Sequence, residues 1–91
     1  SAMGYEDVKL LKDPELTNLM TERGITDADL QEVIHTAENG GVKLYQEDRT
    51  HCLAKKRLGK FTVYAEYQIE ADGYKLLNGY SHRVSLNEDQ E

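Results

Sequence analysis

Residues 61–84, FTVYAEYQIEADGYKLLNGYSHRV, alternate apolar and polar side chains on either side of an Ala71-Asp72-Gly73 break. Phe61, Val63, Ala65, Tyr67 and Ile69 fall on one side of the alternation, with Thr62, Tyr64, Glu66, Gln68 and Glu70 on the other. A period of two is the pattern of a half-buried strand. Asp72-Gly73 supplies a residue tolerant of positive φ where the chain must reverse, and alternation resumes at Tyr74, so the stretch predicts two long antiparallel strands. A lone hairpin is not stable in water. The remainder of the 91 residues must therefore cover one of its faces.

Two segments upstream have helical periodicity. Asp13-Pro14 is a capping aspartate followed by the one residue whose missing N–H costs a helix nothing at its first position. Leu16, Leu19 and Met20 then recur at helical spacing until Gly24 ends the segment, with Ile25 behind it. A second helix starts at Thr26 or Asp27 and runs to Asn39-Gly40-Gly41, with Leu30, Val33, Ile34 and Ala37 on one side and Asp29, Gln31, Glu32 and Glu38 on the other. The segment before them, residues 5–12, carries Val8, Leu10 and Leu11 and reads equally as a short extended or a short helical lead-in.

Between the second helix and the hairpin, residues 42–46 predict a strand with Val42 and Leu44 facing one way. A polar turn follows at Glu47-Asp48-Arg49. Residues 51–58 then predict a further strand, in which Cys52, Ala54 and Leu58 share a face with Lys56, and Gly59-Lys60 turns into the hairpin. The expected fold class is α+β: two N-terminal helices followed by a four-stranded antiparallel meander, with a helix packed on one face. Residues 5–86 form the single expected domain. Residues 1–4, Ser-Ala-Met-Gly, resemble an expression scar, and residues 87–91 a polar, frayed tail.

Charge and cysteine usage exclude several functions. A formal net charge of −6 argues against general affinity for nucleic acid or for an anionic membrane, both of which require a basic surface. The local cluster Lys55, Lys56, Arg57 and Lys60 reads as a solvated strand end and turn. A single cysteine forms no internal disulfide and holds neither zinc nor an iron–sulfur cluster by itself, which points to a reducing, cytoplasmic setting. No apolar run is long enough to span a bilayer.

The chemistry-bearing residues concentrate in the last strand, where Asn78-Gly79-Tyr80-Ser81-His82-Arg83 stands in place of a plain apolar run. Gly79 inside a strand signals a bulge or a close approach. Alternation sends Tyr80 and His82 to one face and Ser81 and Arg83 to the other. If Tyr80 and His82 face the helix they are hydrogen-bonded core residues; if they face outward they form a recognition patch with Tyr64 or Tyr67. A cleft near Cys52 and His82, for a small ligand or for nucleophilic catalysis, is the alternative. His51 and Cys52 are adjacent and so point to opposite faces of their strand. His35, His51 and His82 have no metal-ligand spacing, and His35 reads as a boundary residue of the second helix. No metal site and no catalytic residue are expected.

The stretch V-Y-A-E-Y-Q-I-E-A-D-G-Y, five residues, then Y-S-H-R-V resembles a small domain that accompanies flavin-dependent pyridine-nucleotide oxidoreductases of the glutamate synthase small-subunit type in anaerobic bacteria. The similarity extends upstream through the helix near residues 27–38 to Leu58-Gly59, about two thirds of the chain. Matching positions are Glu66, Tyr67, Asp72, Gly73, Tyr74, Tyr80, Ser81, His82 and Arg83. Ala65 departs from the pattern, which has a large aromatic residue there, and the first helix, Asp13 to Arg23, has no counterpart. The resemblance implies a non-catalytic accessory or docking module whose protein partner is a flavin and iron–sulfur oxidoreductase. It implies no cofactor bound by this domain. The interaction residues it and the strand pattern suggest are Tyr64, Tyr80, Ser81, His82 and Arg83.

Overall fold

A computed structural model describes residues 4–41, 43–45 and 50–83. A single 3-10 turn, Tyr5–Asp7, leads into β1 (Leu10–Leu11), followed by α1 (Pro14–Arg23), α2 (Asp27–Glu38), β2 (Lys43–Tyr45), β3 (His51–Leu58), β4 (Phe61–Glu70) and β5 (Gly73–Arg83). The strands form one five-stranded sheet in the order β1-β5-β4-β3-β2. Val42, Gln46, the turn Glu47-Asp48-Arg49, Val84 and the expected tail 87–91 lie outside the described residues, as do the first three residues of the expected scar.

This architecture corrects the expected four-stranded antiparallel meander: the sheet is mixed, because β1 adds to β5 in parallel through Leu10↔Tyr74 and Leu11↔Lys75. Two residues are too few to display a period of two, so the lead-in carried no strand signal. Its place in the sheet depends on the hairpin turn. A Cβ built on Gly73 would lie 2.8 Å from the Lys9 carbonyl oxygen, so only glycine lets the β1 backbone come this close. The Tyr74 N–H then donates to that same Lys9 carbonyl at 2.9 Å. The Gln31 side chain donates to the Val8 carbonyl at 2.9 Å and fixes the lead-in to α2.

Both helices have the ends their sequences specify. Asp13 caps α1 by accepting from the Leu16 N–H at 2.9 Å, and Gly24 closes it in the left-handed conformation at φ 72°. Thr26 and Asp29 form a reciprocal capping box at the start of α2, each side chain accepting from the other's backbone N–H at 3.1 Å.

The helices cover one face of the sheet. Leu30, Val33, Ile34 and Ala37 of α2, with Met20 and Ile25, are buried against Cys52 and Ala54 of β3, Val63, Ala65 and Tyr67 of β4, and Leu76 of β5. Ala54, Ala65 and Gly79 are direct register neighbours across three strands and form a row of small residues under the helices. A Cβ on Gly79 would sit 2.7 Å from the Met20 sulfur and 3.2 Å from Leu30 Cδ2. The glycine thus serves a close helix approach. The bulge in the ladder falls two residues earlier, where Glu66 pairs with Asn78 and Tyr67 with Leu76, leaving Leu77 without a partner across the strand.

Candidate functional site

The opposite face of the sheet carries no helix among the described elements. Register places four rows across it: Arg57-Thr62-His82, Lys55-Tyr64-Tyr80, Leu53-Glu66-Asn78 and His51-Gln68-Lys75, with Leu44 of β2 beside Leu53. Period-two geometry, with the bulge at Leu77 switching the parity of β5, forces this distribution once the odd-numbered residues of β4 are buried under the helices.

The aromatic groups of this face touch one another. Tyr64 and Tyr80 are stacked with ring centroids 4.7 Å apart and planes 11° from parallel, and the His82 ring lies 5.7 Å from Tyr64. The Lys55 ammonium sits over Tyr64 at 6.0 Å from the ring centroid. Because Lys55 and Tyr80 are the cross-strand neighbours of Tyr64 on its two sides, that ring is held between a cation and a second ring. Beside it, Lys43, Leu44, Leu53, Lys55 and Tyr64 border an apolar concavity of about 390 Å³. Leu44 is 65% exposed, the most open of the large hydrophobic residues described, and Tyr80 is 38% exposed. His51 and Glu66 meet at 2.6 Å farther along the same face.

The outer edge of β5 is partly closed. β1 pairs with it only at Tyr74 and Lys75. At Gly79 both backbone groups bond to side chains: the N–H donates to Asn78 Oδ1 at 2.9 Å, and the carbonyl accepts from the Arg23 guanidinium, which also reaches Asn78 Oδ1 at 3.2 Å. Such capping removes the template that an open edge offers to an added strand.

Of the residues singled out from sequence, Tyr64, Tyr80 and His82 are brought together on the open face. Ser81 points to the helical side, where it borders a hollow with Arg23, Ile25 and Phe61, and Arg83 falls on that side by alternation at the end of β5. Cys52 is fully buried beneath the helices and is separated from His82 by the thickness of the sheet, so no cleft joins them. No cluster of three or more His, Cys, Asp or Glu suited to a metal ion occurs among the described residues. Among them, too, no helix is long and apolar enough to cross a membrane.

A polar cluster at the far end of α2 was not visible in the sequence. The Tyr67 hydroxyl donates to Glu38 Oε2 at 2.6 Å, and Lys43 forms an ion pair with the same oxygen. Burial raises the Tyr67 phenol well above the usual tyrosine range, and the adjoining Glu38 carboxylate raises it further, both by hydrogen bond and by charge. The phenol therefore stays neutral and acts as a donor. Leu44, Leu53 and Lys55 were also missed as members of the open face. The alternation of β3 does place Leu53 and Lys55 opposite Cys52 and Ala54, but only the pairing with Tyr64 gives that side a center.

The class defined by these features is a two-layer α+β domain with one helical face and one sheet face that no described helix covers. Comparison with protein-family models, with curated protein sequences and with solved structures finds no match to this chain.

Proposed function

We propose that this domain is a non-catalytic accessory module that docks on a protein partner through the uncovered face of its sheet. The observation that carries this reading is the row Lys55-Tyr64-Tyr80 with His82 and the adjoining Leu44 and Leu53, a contiguous aromatic and aliphatic surface on the side without helices. Aromatic residues with an apolar center and a polar surround are the composition of protein–protein contact surfaces. The separation of Cys52 from His82 disfavors a catalytic pair between them.

The likeness to the small domain accompanying glutamate synthase small-subunit-type enzymes suggests the partner: a cytoplasmic oxidoreductase that holds flavin and iron–sulfur clusters, while this domain holds neither. The test is affinity purification from lysate of the source organism with the wild-type domain and with a Leu44→Ser, Tyr80→Ala double variant as baits. A flavin and iron–sulfur oxidoreductase retained by the wild type and lost by the equally folded variant is the expected result. Equal retention by both baits, or retention of no such enzyme, overturns the reading.

A further inference from the structure

We infer that the segment recognized by the open face is an acidic peptide with an apolar anchor, the anchor entering the concavity at Leu44, Leu53 and Tyr64 and a carboxylate two residues away meeting Lys55. This rests on the docking reading and names the chemistry of its partner.

Charge is divided unequally between the two sides of the domain. The chain totals −6, yet the open face carries Lys55, Arg57 and Lys75 against Glu66, which is already engaged with His51, and Glu70 at the hairpin end of β4. The acidic residues gather on the helices, including Glu15 and Glu22 of α1 and Asp27, Asp29 and Glu32 of α2. Among the described residues ion pairs form at Lys12, Lys43 and His51, and none at Lys55. Its ammonium is aimed over Tyr64, at the rim of the apolar concavity. A site with an apolar floor and an uncompensated cation on its border selects an apolar side chain next to a carboxylate.

The spacing follows from the sheet. Leu53 and Lys55 are two residues apart on β3, roughly 7 Å along the strand, which is also the distance from residue i to i+2 in an extended ligand. Strand addition along the middle of β5 is not the mode, because Arg23 and Asn78 cap that stretch of edge.

Other occupants fit less well. A second copy applied face to face would bring Lys55, Arg57 and Lys75 of both copies into one interface. Single-stranded nucleic acid binds such sheets by laying bases on aromatic ring faces. Here Tyr64 has Tyr80 on one side and Lys55 on the other, and the Glu66 carboxylate stands in the next row.

The experiment pans a phage-displayed random dodecapeptide library against the full chain and measures the selected peptides by fluorescence anisotropy and by amide chemical-shift mapping. Expected are sequences with an aliphatic or aromatic residue followed within two or three positions by Asp or Glu, and shifts centered on Leu44, Leu53, Lys55 and Tyr64. Lys55→Glu, an exposed substitution, should weaken binding at least tenfold, and rising salt should weaken binding to the wild type. Selection of acid-free apolar peptides on the same face would overturn the acidic specificity and leave the docking reading standing. Failure to select any peptide, or selection at another surface, would overturn both. Tight binding of a twelve-nucleotide oligothymidylate to this face, or self-association through it in sedimentation experiments, would equally overturn the inference.

Discussion

Replacing Tyr67 by Phe removes one hydroxyl and nothing else, because the ring stays in its place beneath the end of α2. The lost bond is a 2.6 Å donation to Glu38 Oε2, an acceptor that carries charge. Hydrogen bonds to charged groups contribute about 1.5–3 kcal/mol. Glu38 keeps Lys43 and some solvent contact after the change, so the low end applies, about 1.5–2 kcal/mol at neutral pH and a fall in Tm of about 6–16 °C for a domain of this size. The pH dependence is the sharper part. In the unfolded chain a tyrosine releases its proton near pH 10. In the folded state burial, and then Glu38, hold the Tyr67 proton to higher pH. Above pH 10 the unfolded state therefore binds fewer protons than the native one, and stability falls as pH rises, by up to about 1.4 kcal/mol for each pH unit. The contribution is fully present below pH 10 and lost above it. The Tyr67→Phe chain has no such group. Its deficit relative to wild type should be constant from pH 7 to 9 and should nearly close by pH 11. Urea denaturation of both proteins at pH 8, 9.5 and 11, with m-values compared, gives the difference directly. A deficit that does not shrink across that range, or none at pH 8, would refute the account of Tyr67 as a buried neutral donor to Glu38.

Two further substitutions and one labeling experiment probe the fold. Gly79→Ala pushes a methyl group toward the Met20 sulfur and Leu30 and should cost about 1–3 kcal/mol in thermal denaturation, with part of that recovered when Met20→Ala is added; strictly additive losses would remove the close-approach argument. Thr26→Ala deletes one half of the capping box at α2 and should cost about 1 kcal/mol while leaving the Tyr64–Tyr80 contact unchanged in NMR spectra. The Cys52 thiol, buried under the helices, should react with a soluble disulfide reagent only at the rate of unfolding, and rapid stoichiometric labeling of the native protein would contradict its burial.

How far the sequence reveals this structure depends on the length over which each signal is repeated. The long hairpin, both helix starts and the Gly24 cap are written in local chemistry: ten-residue alternation, Asp13-Pro14, Thr26 with Asp29, and a glycine at the left-handed position. β1 is not, since two leucines carry no period and their partner lies more than sixty residues away at the hairpin turn. Gly79 announces a constraint but not its source; a bulge and a methionine pressed on the backbone leave the same mark on the sequence. For the open face, alternation alone groups Tyr64 with Glu66 and Tyr80 with His82, but which group faces the helices depends on packing between elements distant in the chain. The Glu38–Tyr67 bond joins two elements 29 residues apart and has no local signature at all.

The distribution of bulk in the sheet bears on why the open face is built as it is. Under the helices, the central row is Ala54, Ala65 and Gly79; one residue away on the other side, the row is Lys55, Tyr64 and Tyr80. A sheet shaped only by its own stability would carry its large side chains where they remove the most apolar surface from water, which is the covered side. Here small residues on that side let α1 and α2 lie close to the backbone, with Met20 directly over Gly79. Aromatic mass on the far side adds little to that core. A stacked pair there contributes about 0.5–1.5 kcal/mol to the sheet itself, and polar β-formers such as threonine would serve the strands as well. Nor does edge protection require it, since Arg23 and Asn78 already close the middle of β5. Folding thus accounts for a small residue at Ala65, and does not by itself account for tyrosine at positions 64 and 80.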